Sequence, residues 1–281
     1  MVNRWGAKPM ADDPYRISDQ VDASMLEMMV ARLEERGRDA RFLGMIDDYL
    51  DAVGISQAKE ILDLGSGTGV VARRIAARKD FTGRVTGIDL SPQLIAKARE
   101  LAALEGLSQK TVFKPGDIRS FAFEDSRFDV TVMHTLVSHL DDPATALQEA
   151  ARVTRTGGAI VVFDGDYASS TLETADPGRA AEIDNAMIEA TVTQPRVMRR
   201  LPRMANAAGL SIERCFSYLI AEAGTPDFFA GLVDTIGPML VSSGVSSEDE
   251  AAVITADLRA AADGGTFFGA CNYYGYVLRK P

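Results

Sequence analysis

The chain has 281 residues, 46% of them hydrophobic, with 40 acidic against 30 basic side chains and a formal net charge of −10. That hydrophobic content builds a sizeable core and excludes a disordered chain, while the acidic balance argues against a nucleic-acid partner, which needs a basic face. The length fits one large α/β domain with insertions, or a domain plus a small lid.

In chain order, Met1–Pro14 is polar and lacks an apolar signal core. Val21–Arg36 reads as an amphipathic helix with Met25, Met28, Met29 and Leu33 on one face. Asp39–Val53 reads as a second, with Phe42, Leu43, Ile46 and Leu50 inward and Gly54 as its stop. Strand and helix patterns then alternate. Strands are expected at Glu60–Leu64, Arg84–Asp89, Thr111–Pro115, Phe128–His134 and Ala159–Asp164, and helices at Val70–Lys79, Pro92–Glu105 and Pro143–Thr154. Ser91-Pro92 and Asp142-Pro143 are N-cap and first-turn pairs. This rhythm predicts a parallel sheet covered on both faces.

After Asp164 the rhythm breaks. Tyr167–Gly178 reads as a loop. Arg179–Thr193 and Arg196–Ala208 read as helices flanking Pro195, and Leu210–Ile220 as a strand. Pro226–Ser243 and Ser246–Ala262 read as two more helices, and Ala270–Arg279 as a last strand. Arg196, Arg199, Arg200 and Arg203 recur at helical spacing and so share one face, suited to a substrate anion or simply to water. No run of about 18 apolar residues occurs, so no membrane span is expected. Cys215 and Cys271, the only cysteines, have no metal-ligand spacing. They suit a reducing, cytoplasmic setting, and no metal is expected.

The most informative stretch is Ile61-Leu62-Asp63-Leu64-Gly65-Ser66-Gly67-Thr68-Gly69. An apolar strand ends in a glycine turn that opens directly into a helix, whose free N–H groups face the same spot. A dinucleotide fingerprint would be G-x-G-x-x-G. Here Val70 holds the third glycine's place, and Asp63 would repel a pyrophosphate but not a ligand carrying ammonium and sulfonium charges. The stretch resembles the first motif of the class I S-adenosylmethionine (SAM)-dependent methyltransferases of the small-molecule type. Three further segments extend the resemblance in order over about residues 60–165: Val85-Thr86-Gly87-Ile88-Asp89-Leu90-Ser91, Gly116-Asp117-Ile118, and Phe128-Asp129-Val130-Thr131-Val132-Met133-His134.

The resemblance implies a Rossmann-like, mostly parallel seven-stranded sheet with an antiparallel last strand, plus helical lid insertions. It also implies SAM as cofactor and methyl transfer to a small molecule. Gly65, Ser66, Gly67, Thr68 and Gly69 would hold SAM by backbone contacts, Asp63 its ammonium and Asp89 its ribose. Leu90, Asp117 and Ile118 would hold the adenine, and His134 would lie by the methionine part. Candidates for chemistry are His139, within a stretch similar to the H-x-x-D-P of small-molecule methyltransferases, and His134, Asp166 and Tyr167 at strand ends. The alternatives are a SAM-binding protein without transfer activity and an NAD(P)-dependent oxidoreductase. Expected organisation is a helical cover over 1–55, the cofactor core over 56–167, a helical insertion over 168–208, and the rest of the sheet over 209–281 with an insertion near 226–263. Homodimerisation is left open.

Overall fold

The computed structural model describes residues 13–119 and 122–281; the polar N-terminal reading falls, up to residue 12, outside the described residues. The elements run α1 (Ala23–Arg36), α2 (Ala40–Ala52), β1 (Glu60–Leu64), α3 (Val70–Ala77), β2 (Arg84–Asp89), α4 (Pro92–Leu104), β3 (Thr111–Pro115), β4 (Phe128–His134) and α5 (Pro143–Val153). They continue with β5 (Thr154–Leu172), α6 (Ala180–Thr191), α7 (Val197–Ala207), β6 (Ser211–Gly224), α8 (Ala230–Ser242), α9 (Glu248–Asp263) and β7 (Phe267–Arg279).

One seven-stranded sheet has the order β3-β2-β1-β4-β5-β7-β6. Strands β1 to β5 pair in parallel, with Asp63 beside Gly87 on β2 and Val132 on β4. β7 runs antiparallel to β5: Gly157 N–H donates to Lys280 O at 2.8 Å, and Glu173 N–H to Phe268 O at 3.1 Å. The chain forms two compact units. The larger comprises Pro14–Asp164, Val197–Ser217 and Tyr274–Pro281; the smaller includes Gly165–Arg196 and Tyr218–Tyr273.

In the larger unit the strands are apolar because both faces are covered. Leu62, Leu64, Met133 and Val162 pack with Leu147 and Ala150 of α5 and with Val197, Met198 and Leu201 of α7. α2 buries Phe42, Met45, Ile46, Tyr49 and Leu50. Three arginines, two on α3 and one at its C-cap, tie down the N-terminal helices. Arg73 meets Glu34 of α1 at 2.6 Å, Arg74 meets Asp47 of α2, and Arg78 meets Asp51. The expected caps are present: Ser91 Oγ accepts from Leu94 N–H, and Asp142 Oδ1 from Thr145 N–H. In the smaller unit, Ile183 and Met187 of α6, Ile236 and Leu240 of α8 and Leu258 of α9 are buried, and Ser247 and Glu250 form a capping box that starts α9.

Two expectations change. The loop read from Tyr167 is strand as far as Leu172. Serine and threonine there serve the sheet, since Ser169 Oγ donates to Asp166 O and accepts from Asn272 N–H of β7. Met28 is 58% exposed rather than inward, leaving Met29 as the one methionine of α1 that is buried. The arginines at 196, 199, 200 and 203 are exposed while α7 buries its opposite face.

Candidate cofactor site

The tips of β1, β2 and β4 meet around the glycine turn, all within the larger unit. Gly65, Gly67 and Gly69 all have positive φ, at 68°, 52° and 80°. At Gly69, the N-cap of α3, a Cβ would sit 2.7 Å from the Phe113 ring; at Gly67 it would press on Leu33 of α1 at 3.1 Å. Only glycine combines that backbone with those distances.

A glycine N-cap offers α3 no side-chain acceptor, and Asp63 supplies one from the neighbouring strand. Its Oδ2 accepts from Ala72 N–H at 3.2 Å. Asp63 is 2% exposed. Burial, reinforced by the negative charge of Asp89, pushes its carboxyl up to about 7, against the pull of the Ala72 N–H. Asp89 is also buried. Its Oδ2 accepts from Gly67 N–H at 2.8 Å and its Oδ1 from Ser91 N–H at 2.9 Å. Burial raises it as well, and backbone N–H groups oppose the rise. A carboxylate has about four lone-pair positions, so both acids retain acceptor capacity. The hydroxyls of Ser66 and Thr68, in the turn itself, are buried without a hydrogen-bond partner among the described residues. Two buried acids with no cation beside them among the described residues, and two unpartnered hydroxyls, fit a ligand with ammonium, sulfonium and ribose hydroxyl groups.

Leu90 is half-buried after β2 and Ile118 is buried after β3. Asp117 is clamped by Arg119, whose Nε lies 2.9 Å from Oδ1 and whose Nη2 lies 2.6 Å from Oδ2. That guanidinium holds the Asp117 carboxyl below its ordinary value. An adenine amino group would have to share this carboxylate with Arg119.

His134 ends β4 with its ring stacked on Phe163 of β5, centroids 4.7 Å apart and planes 7° from parallel. Part of the residue reaches the surface. Packing of the ring, with the charge of Arg36 nearby, nevertheless pulls its pKa down to about 3. The fully buried Tyr49 places its hydroxyl 3.0 Å from His134 Nδ1. With the phenol donating, the neutral imidazole carries its proton on Nε2. Burial of the ring thus favours the neutral form of His134. His139 is 8% exposed in the turn after β4, its ring 4.8 Å from that of Tyr15. Asp164 holds this turn by accepting from both N–H and Oγ of Ser138, at 3.0 and 3.1 Å.

Asp166 and Tyr167 lie in the smaller unit, 2% and 8% exposed, and Tyr167 meets Tyr273 edge-on at 6.3 Å. The structure thus gathers Asp63, the glycine turn, Asp89 and His134 in one unit and assigns Asp166 and Tyr167 to the other.

Sequence reasoning missed Tyr49, which reads as one more inward position of α2, and Thr135. The latter is a β-branched residue held at φ 47°, just past β4, by donation from its N–H to Phe163 O at 2.7 Å. No residue type announces that strain.

The strand order, with β7 inserted antiparallel between β5 and β6, defines the Rossmann-like fold of class I methyltransferases. Residues 62–162 match the methyltransferase-domain family, and this core belongs to the class I SAM-dependent methyltransferases. The chain is 30% identical over 150 residues to a chloroplastic tocopherol O-methyltransferase of Arabidopsis thaliana, covering 53% of this chain and 40% of that one. Among solved structures it resembles a geranyl diphosphate methyltransferase in complex with SAM, at TM-score 0.53, 17% identity and coverage of 97% and 96%. It also resembles the [4+2]-cyclase SpnF, at TM-score 0.61, 19% identity and 98% of both chains. The chain spans about half the length, or less, of the curated relatives it matches. Among the described residues no helix is long and apolar enough to cross a membrane.

Proposed function

We propose that the chain transfers the methyl group of SAM to a small-molecule acceptor. The observation that carries this reading is the pair of buried carboxylates, Asp63 and Asp89, on adjacent strand tips beside a turn whose Gly67 N–H is bonded to Asp89. Asp63 would take the ammonium, Asp89 the ribose hydroxyls, and Leu90, Asp117 and Ile118 the adenine, with Gly65–Gly69 as the backbone floor. His134, as an Nε2–H donor, would face the methionine end. When bound, SAM supplies a methyl group already activated by its sulfonium. The protein's part is then mainly alignment of acceptor, carbon and sulfur, worth about 7–11 kcal/mol in a well-oriented pair. A proton acceptor is needed only for acceptors that keep a proton. His139, His134, Asp166 and Tyr167 are the candidates, and burial, which favours the neutral imidazole, weighs against His134. Net charge of −10 and two free thiols, Cys215 and Cys271, favour a small-molecule acceptor and a reducing cytoplasm.

Calorimetry with SAM, followed by mass-spectrometric detection of S-adenosylhomocysteine across an acceptor panel, tests the proposal. We expect binding, product formation with at least one acceptor, and a 10- to 100-fold loss of SAM affinity in Asp89→Ala, the scale of hydrogen bonds to a charged group at about 1.5–3 kcal/mol. No binding at millimolar SAM would refute it. The likeness to a cyclase over nearly all of both chains supports a second reading, a catalyst on this fold that does not transfer methyl. That reading predicts acceptor turnover without release of S-adenosylhomocysteine. Asp63 and Val70, where a dinucleotide turn needs neutrality and glycine, speak against a nicotinamide cofactor.

A further inference from the structure

The two edges of the sheet are built differently. β3 is a short edge of 5 residues that ends in Lys114 and Pro115, and shortness, lysine and proline are the usual devices against edge-to-edge pairing. β6, the opposite edge, runs 14 residues with neither lysine nor proline. From Ser211 to Ser217, every residue but Phe216 is exposed, including Ile212 at 43% and the free thiol of Cys215. A long edge of this kind, free of lysine and proline, is a template for another strand.

We propose that the edge is occupied by the same strand of a second copy, in an antiparallel two-fold pair centred on Cys215. Two-fold symmetry with side chains alternating across the sheet restricts the register, because residue i must oppose a partner residue on the same face. The pair must therefore be centred on a residue. Centring on Glu213 or Arg214 sets like charges directly opposite each other, which is destabilising. Centring on Cys215 sets Arg214 opposite the partner's Phe216 and Glu213 opposite the partner's Ser217. Within one chain the Arg214 guanidinium already lies 4.8 Å from the centroid of the Phe216 ring. The symmetric pair therefore extends one cation–aromatic contact into a cluster of four, with no like-charge contact in its centre. The inference is independent of methyl transfer.

The test uses the full chain. Light scattering after size exclusion should give a dimer, and bismaleimidoethane should cross-link it through Cys215. The cross-link should survive Cys271→Ala and vanish in Cys215→Ser. Phe216→Lys, which sets Lys opposite the partner's Arg214 twice, should raise the dimer dissociation constant at least tenfold. Combining it with Arg214→Glu should restore the dimer, which also guards against a simple folding defect in the single variant. A wild-type monomer at 100 µM (about the highest workable concentration), a dimer indifferent to Phe216→Lys, or no rescue by the double change would each overturn the proposal.

Discussion

Asp63 makes opposite demands on stability and binding, and Asp63→Asn separates them. The buried carboxyl has its pKa raised from the ordinary 3.8 to about 7. A folded pKa above the unfolded one means the native state holds the proton more tightly. Stability is then complete below about pH 4 and is lost as pH rises toward 7, because the unfolded chain ionises first. At 1.36 kcal/mol per pH unit the full loss has a ceiling of about 4 kcal/mol, of which about 2–3 kcal/mol falls between pH 5 and pH 8. Asparagine has no charge to bury and still offers an oxygen to Ala72 N–H, the contact seen at 3.2 Å. Urea melts followed by far-UV circular dichroism should therefore show the variant gaining on the wild type by at least 1 kcal/mol from pH 5 to pH 8. SAM affinity at pH 8 should move the other way, falling by about 1.5–3 kcal/mol, if the ionised acid holds the ammonium. Parallel pH profiles for the two proteins would refute the burial argument. Unchanged affinity would refute the pairing.

Gly69→Ala forces an L side chain to φ 80° and against the Phe113 ring; thermal melts should show a loss of at least about 1–2 kcal/mol and calorimetry a loss of SAM binding. Tyr49→Phe leaves His134 Nδ1 without its phenol, at a cost of about 1–3 kcal/mol in the same melts. Equal stability would show that the bond is not made in solution. Asp164→Ala removes the acceptor of both Ser138 contacts. Amide exchange at Ser138 should rise at least tenfold while strands away from the turn keep their protection.

The strands β1 to β4 are legible to the residue because each is an apolar run stopped on both sides by Gly, Pro, Asp or a charged residue. Their parallel pairing follows from the helices between them. The caps at Ser91 and Asp142 are equally legible, as local hydrogen bonds within three residues. Two features escaped for a common reason: each depends on a partner far along the chain. β5 persists through a serine- and threonine-rich stretch because β7, about 100 residues on, pairs with it: Phe268 O takes the N–H of Glu173. The contacts of His134 with Tyr49, 85 positions earlier, and with Phe163 leave no local signature either. The site acids were visible as residues. Their raised pKa values were not, since burial is a property of the assembled sheet.

Two of the buried polar groups left without a partner among the described residues, the hydroxyls of Ser66 and Thr68, lie where the ligand is expected. The guanidiniums of Arg73, Arg74 and Arg78 meet Glu34, Asp47 and Asp51, although Arg73 Nε is itself left without an acceptor. At the tips of β1, β2 and β4 burial raises the pKa of two acids, Ser66 and Thr68 keep hydroxyls without a partner among the described residues, and Thr135 sits in a left-handed conformation. A sequence selected for stability alone would replace Asp63 by asparagine and Thr135 by glycine. A ligand that brings a cation to the acids and hydrogen-bonding groups to the hydroxyls offsets these costs at the moment of binding. The apo fold is thereby biased toward a cationic nucleoside and against a pyrophosphate, which would add charge of the wrong sign to both acids.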